Sequence, residues 1–262
     1  MYLEIMNVVP NEKAGQALEY SQGVVRWTID GTIADVANSV RQRNIQAITF
    51  VDNEFFADHP MAIAMCREMR VLDMNVLWTA YVGDMPSSEL LMEMRLAGCQ
   101  RLEMTLHPAA AAQALAAARE FGFEVRICDT DGTPCVSDPT QYTIAERQSI
   151  AERLPGLHSV QYDLAVAYYK ARRFQEVMQP LGKAMTLRFP MNELCLNLLA
   201  CLGAAKHYPE MAAGLLDQAQ HGCPHPVVFR NRRLLKMWLE SGGDVKGVRL
   251  MLEPEPVSMV TA

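Results

Sequence analysis

Ile45–Phe56 reads IQAITFVDNEFF, and the reading of this stretch decides the fold. Ala47, Ile48, Phe50 and Val51 form an apolar run rich in β-formers and too short for a helix, which predicts a strand covered on both faces. Asp52, Asn53 and Glu54 follow at its exit. That is the carboxyl end of a parallel strand, where α/β folds collect their ligands. A plainer reading competes, in which Asp52 and Asn53 turn the chain and cap a helix that starts near Pro60.

Upstream, residues 3–9 and Gly23–Ile29 are short strand candidates, and Asp30–Arg43 has the apolar spacing of a helix, with Asp30 or Thr32 as its cap. Downstream, a helix with Met61, Ala64, Met65 and Met69 on its apolar face precedes a strand over Asn75–Val82. A second helix begins at Pro86, Ser87 and Ser88 and stops at Gly98, followed by a strand over Gln100–Leu106. An alanine-rich helix from Pro108 ends at Gly122, and Phe123–Cys128 gives a further strand.

Strand starts near residues 45, 75, 100 and 123 are 30, 25 and 23 apart, the spacing that right-handed βαβ crossovers require. With the N-terminal strand this makes about five units, fewer than the eight of a closed barrel. The fold class predicted for residues 1–140 is therefore α/β, a partial (β/α) barrel with parallel strands. DTDGTPCVSDPTQ, Asp129–Gln141, reads as a long turn, and residues 141–155 as a linker helix.

The remainder changes character. Leu164, Tyr168, Phe174 and Val177 recur 34 residues later as Leu198, Leu202, Tyr208 and Met211, and a weaker third copy, Leu235, Leu239, Val245 and Val248, lies 37 further on. Such recurrence predicts an all-α helical-repeat domain over residues 156–252. EPEPVSMVTA, residues 253–262, reads as a flexible tail.

Composition bounds the function. Of 262 residues half are hydrophobic and 21% charged, enough to bury a sizeable core, and a net charge of -6 argues against a nucleic-acid surface. The N-terminus lacks the basic start of a secretory signal, and the longest uncharged apolar run, Met104–Ala118, is too short to span a bilayer. A cytoplasmic protein with no membrane partner is expected. Seven cysteines form no CxxC pair. His221, Cys223 and His225 in HGCPHP alternate as metal ligands sometimes do, but the prolines favour an inter-repeat loop and no fourth ligand is near, so no metal is assigned. Neither a catalytic triad nor a glycine-rich phosphate loop is found.

VDNEFF, VLWTAY and ELLMEMRLAGC occur in that order within Thr32–Cys128, and this ordered set resembles the barrel of radical S-adenosylmethionine enzymes of the cobalamin-associated type. The family carries CxxxCxxC after its first strand, because three thiolates hold a four-iron cluster with one iron open to the cofactor. Here that place reads NVVPNEKAGQALEYSQG, with no cysteine before Cys66. The departure argues against an iron–sulfur cluster, no cofactor is expected, and radical chemistry should be lost.

What the resemblance leaves is a pocket for S-adenosylmethionine at the strand ends, with Asp52, Glu54, Thr79, Tyr81 and His107 as its contacts and Asp129 and Asp131 extending the rim. His107 stands where relatives carry glutamate or glutamine followed by serine. Within residues 156–252, YDLAVAYYKARRFQEV and LNLLACLGAAKHYPEM resemble the first helix and turn of tetratricopeptide repeats, which implies a protein or peptide partner. The expected function is a non-catalytic or accessory radical-SAM-like protein whose repeats bind a partner. The alternative is a truncated or rewired radical enzyme that still binds S-adenosylmethionine.

Overall fold

The computed structural model describes residues 2–8, 20–26, 33–43, 47–50, 55–74, 76–83, 85–105, 108–128, 134–136, 142–221, 225–243 and 248–252. The chain divides into two compact units, Met1–Met191 and Asn192–Ala262.

The first unit is built on a sheet. Among the described residues its strands are β1 (Tyr2–Val8), β2 (Tyr20–Arg26), β3 (Ala47–Phe50), β4 (Leu77–Val82), β5 (Cys99–Thr105), β6 (Glu124–Cys128) and β7 (Pro134–Val136), in the order β2-β1-β3-β4-β5-β6-β7. β3 to β6 are parallel and consecutive. The helices α2 (His59–Val71), α3 (Ser88–Leu96) and α4 (Pro108–Glu120) connect them in turn, and α1 (Ile33–Arg43) precedes β3. This is the β-α alternation read from the strand spacing.

The ends of the sheet differ from a run of parallel units. β1 pairs antiparallel with both β2 and β3, so β2 and β3 run the same way with β1 inserted between them. Only residues 9–19 separate β1 from β2. A parallel crossover needs a dozen or more residues and a hairpin does not. At the other end β7 pairs antiparallel with β6, a short strand inside the stretch expected to be all turn. Pro134 stands at its first residue, the place where a strand tolerates a missing N–H.

One face of the parallel section holds the core. Trp78, Ala80 and Val82 of β4 are buried while Leu77, Thr79 and Tyr81 between them are half-buried, an alternation that repeats in β5 and β6. Ile48, Phe50, Leu102, Met104, Val125 and Ile127 join the buried face and pack with Val36, Met65, Leu91, Met94 and Ala114 from the helices. Consecutive strand order with crossovers of one hand sends every helix to the same side. The opening stretch supplies the centre of this core: Phe50 and Phe56 are fully buried, and both rings meet Trp78, at centroid distances of 5.1 and 6.2 Å. Trp78 donates its indole N–H to the Ala97 carbonyl at 2.8 Å. Gly98, at φ +97°, is required beside it, because a Cβ there would lie 2.7 Å from the Val76 carbonyl oxygen.

Three helices complete this unit: α5 (Ile144–Arg153), α6 (His158–Lys170) and α7 (Met178–Thr186). α5 begins with a capping box between Thr143 and Glu146. Pro180, unexpected in a helix, falls in the first turn of α7, where its missing N–H has no intrahelical role. α6 is held to the end of α3 by polar groups. The Arg95 guanidinium, 1% exposed, donates to the Cys99 carbonyl at 3.0 Å and to Asp163 at 2.8 Å, and lies 5.2 Å from the Phe123 ring centroid. His158 donates from Nε2 to the Leu96 carbonyl at 3.1 Å.

The second unit consists, among its described residues, of α8 (Asn192–Ala205), α9 (Pro209–Gln220), α10 (Pro226–Glu240) and an irregular segment, residues 248–252, with a bend at Leu252. α8 is apolar almost all round and buried along its length, whereas α10 buries one stripe, Val227, Val228, Asn231 and Leu235.

Candidate functional site

Thr79 and Tyr81 lie two residues apart on the half-buried face of β4, Thr79 within the strand and Tyr81 one residue before its end. Asp52, Glu54, His107 and Asp129, with Asp131, lie outside the described residues. The N-cap of α2 falls nearer the helix than Asp52 and Asn53, which lie outside the described residues. It is Asp58, accepting from the Met61 N–H at 3.1 Å.

Strand register sets what surrounds Thr79 and Tyr81. Thr49, Thr79, Arg101 and Glu124 stand in one row across the sheet, and Tyr81, Glu103 and Arg126 in the next. Within the rows opposite charges pair across strands, Arg101 with Glu124 at 2.9 Å and Arg126 with Glu103 at 3.8 Å. Cross-strand pairing of this kind is expected for side chains directly opposed on one face, and exposed pairs contribute at most ~1 kcal/mol. Among the described residues of β4 to β6, this face carries its charges in cross-strand pairs.

The described thiols are not disposed as metal ligands. Cys66, Cys99, Cys195 and Cys201 are buried. Burial pushes the thiols of Cys66, Cys195 and Cys201 up to about 12 and that of Cys99 well above its usual value, so all are protonated at neutral pH. Among the described residues no group of three or more histidine, cysteine or acidic side chains is arranged to hold a metal ion. In the HGCPHP stretch, His225 is the buried N-cap of α10, its Nδ1 accepting from the Val227 N–H at 3.3 Å, and His221 lies exposed against the Asp217 carbonyl. Cys223 lies outside the described residues.

A second site was not foreseen. α6, α8 and α10 begin at His158, Asn192 and Pro226, a spacing of 34 in each case (192 - 158 and 226 - 192). The sixth residue of each is polar, Asp163, Asn197 and Asn231 in turn. Both asparagines are fully buried. Asn231 accepts at Oδ1 from the Met251 N–H and donates from Nδ2 to the Met251 carbonyl, both at 2.6 Å. Asn197 donates to the same carbonyl at 3.0 Å and to that of Leu252 at 3.3 Å, and its Oδ1 accepts from Asn231 at 2.6 Å. The Cys201 thiol adds a 3.4 Å contact to the Met251 carbonyl. Two buried carboxamides therefore clamp the backbone of Met251 and Leu252.

The signal for this clamp was present in the sequence. Asn197 interrupts an otherwise apolar helix, and the 34-residue period read from Leu164 and Leu198 carries it onto Asn231. The 37-residue offset read for the third copy hid the match. Within the same unit, α9 and α10 line a groove of about 420 Å³ that includes Ala213, Phe229, Arg232, Arg233 and Lys236.

The arrangement defines a protein of α/β sheet and helical hairpins with a backbone-binding clamp. Compared with known proteins, the chain matches no family model, no curated protein and no solved structure.

Proposed function

We propose that the chain is a cytoplasmic accessory protein without radical chemistry, in which a radical-SAM-like partial barrel over residues 1–140 is joined to helical repeats over 156–252 that bind a protein partner. The observation that carries this reading is the recurrence of helix starts at His158, Asn192 and Pro226, each with a polar side chain sixth in the helix. Hairpins stacked at a fixed period build extended surfaces suited to polypeptide ligands. The departure of NVVPNEKAGQALEYSQG from the CxxxCxxC pattern supports the loss of radical chemistry.

Two experiments test the two halves. Anaerobic reconstitution with iron and sulfide should leave the chain colourless, and a charge-transfer band with stoichiometric iron would overturn the non-catalytic half. A photo-crosslinker placed at Met211, 50% exposed in the second unit, should capture one defined protein in cells that naturally make the chain, and the same group at Val71, 83% exposed in the first unit, should not. Indistinguishable products from the two positions would remove the partner.

The alternative, retention of S-adenosylmethionine at the strand ends, draws on the position of Thr79 and Tyr81 on the half-buried face of β4. Calorimetry with S-adenosylmethionine tests it. Heat of binding abolished by Asp52→Ala and Glu54→Ala would favour it over the first reading.

A further inference from the structure

The clamp formed by Asn197 and Asn231 reads backbone rather than side chain. Every bond it makes to the segment 248–252 ends on an N–H or carbonyl of Met251 or Leu252. One carboxamide that both accepts from and donates to the same residue presents what a neighbouring β-strand would present, and any extended residue other than proline can satisfy it. With residues 250–252 in place both asparagines are sealed from solvent, so the segment and the carboxamides satisfy one another out of water. An occupant that leaves must be replaced by water or by another backbone.

We propose that the Asn197–Asn231 clamp is a binding site for an extended apolar peptide, that the chain's own residues 250–252 occupy it as an internal ligand, and that a partner's segment enters by displacing them. This rests on the reading of the repeats as a protein-binding domain and names the ligand's chemistry. The internal occupant shows which side chains fit: Leu250 is 5% exposed and Met251 and Leu252 are half-buried, so apolar residues flank the clamped backbone. Asp163, at the equivalent place in α6, meets the Arg95 guanidinium instead. The backbone site therefore belongs to the second and third helices of the series. A tethered occupant competes at an effective concentration on the order of millimolar, which keeps weak outside peptides away and admits those that bind well or arrive after the strap is released.

The test uses the full chain and a fluorescein-labelled peptide of sequence KGVRLMLEPEPV, which copies residues 246–257. Fluorescence anisotropy should show about tenfold tighter binding to the Met251→Pro chain, whose strap has lost the N–H that Asn231 accepts, than to the unaltered chain. The same peptide N-methylated at its methionine should bind the Met251→Pro chain about tenfold more weakly than the parent. Equal affinity of parent and N-methylated peptides, or no binding to a folded Met251→Pro chain, overturns the proposal. Should that variant fail to fold, hydrogen exchange of the unaltered chain decides: excess peptide should speed exchange at the Met251 amide, and unchanged protection overturns the proposal. Peptide exchange without a crosslinked partner would remove the protein-binding reading and leave the clamp. A partner captured from Met211 with no peptide exchange does the reverse.

Discussion

Asp163 in the first unit and Asn197 and Asn231 in the second hold the same place in helices of the same spacing, yet they meet different partners. The carboxylate of Asp163 lies 2.8 Å from the buried guanidinium of Arg95 and 3.6 Å from Arg147, so it serves the interior of its own unit. The two carboxamides are neutral and both donate and accept, and they meet a backbone. A charge at this place requires a fixed counter-charge, whereas an amide accepts any extended chain. One helical position thus becomes an anchor or a receptor according to a single oxygen-for-nitrogen exchange.

The sharpest way to break this comparison is to exchange the residues. Asp163→Ala leaves the Arg95 guanidinium buried without its acid and should cost ~3–5 kcal/mol in urea unfolding. Arg95→Met should cost less, because Asp163 is 23% exposed and keeps Arg147. Asn231→Asp should also destabilise by several times the ~1 kcal/mol of an ordinary hydrogen bond, since the Nδ2 that meets two oxygens becomes a third oxygen. If Asn231→Asp were neutral, the distinction between anchor and receptor would fail.

Among the described residues, each unit has one buried histidine through which acid acts, His158 in the first and His225 in the second. Burial first of all lowers the pKa of His158 to about 4, with Arg95 and Arg70 lowering it further and the Leu96 carbonyl and Asp163 opposing, and burial lowers His225 to about 4. Nδ1 of His158 is buried without a hydrogen-bond partner, so a second proton there would have no acceptor. The unfolded chain takes up protons at about 6.5 and the folded chain only near 4. Stability is therefore whole above pH 6.5 and falls as pH drops toward 4, by on the order of 3 kcal/mol for each histidine. Urea midpoints measured from pH 7.5 to 4.5 should show the decline, and His158→Gln, which keeps a donor for Leu96 and cannot titrate, should remove the His158 share and leave that of His225. An unchanged slope would show that His158 is not held neutral.

The alternation of β3 to β6 with α2 to α4 was legible because buried parallel strands are apolar runs and their helices carry caps, such as Ser87 with its hydroxyl accepting from the Leu90 N–H. The direction of β1 was not, since apolar pattern marks a strand without its partner. Arg95 within ELLMEMRLAGC has the look of a solvated helix face, and only tertiary packing shows it 1% exposed. Of the expected contacts, Thr79 and Tyr81 were legible as strand residues on one face, because alternate side chains share a side. Asn197 and Asn231 were legible as polar interruptions. Their joint role was not, because it depends on where Met251 returns, 54 residues after Asn197.

Smaller effects sharpen the receptor side. Asn231→Ala removes both bonds to Met251 and should cost ~1–3 kcal/mol, while Asn197→Ala leaves the reciprocal Asn231–Met251 pair in place and should cost less. Exchange at the Met251 amide should accelerate in that order. Equal acceleration would mean that Asn197 and Asn231 contribute alike and that the reciprocal pair has no special weight.

The smallest expected effect is a control on the first unit. Thr143 Oγ1 accepts from the Glu146 N–H at 3.2 Å, and Glu146 in return accepts from the Thr143 N–H at 2.7 Å, which with the Thr143 hydroxyl and Arg119 holds its carboxyl below the usual carboxylate range. Thr143→Ala keeps the bond from the backbone N–H to Glu146 and loses the hydroxyl, so about 1 kcal/mol of stability should go. The helix it opens, α5, lies in the unit anchored by Asp163, so protection at Met251 should not change. Should Thr143→Ala loosen the strap as Asn197→Ala does, the strap would be reporting general stability and not the clamp.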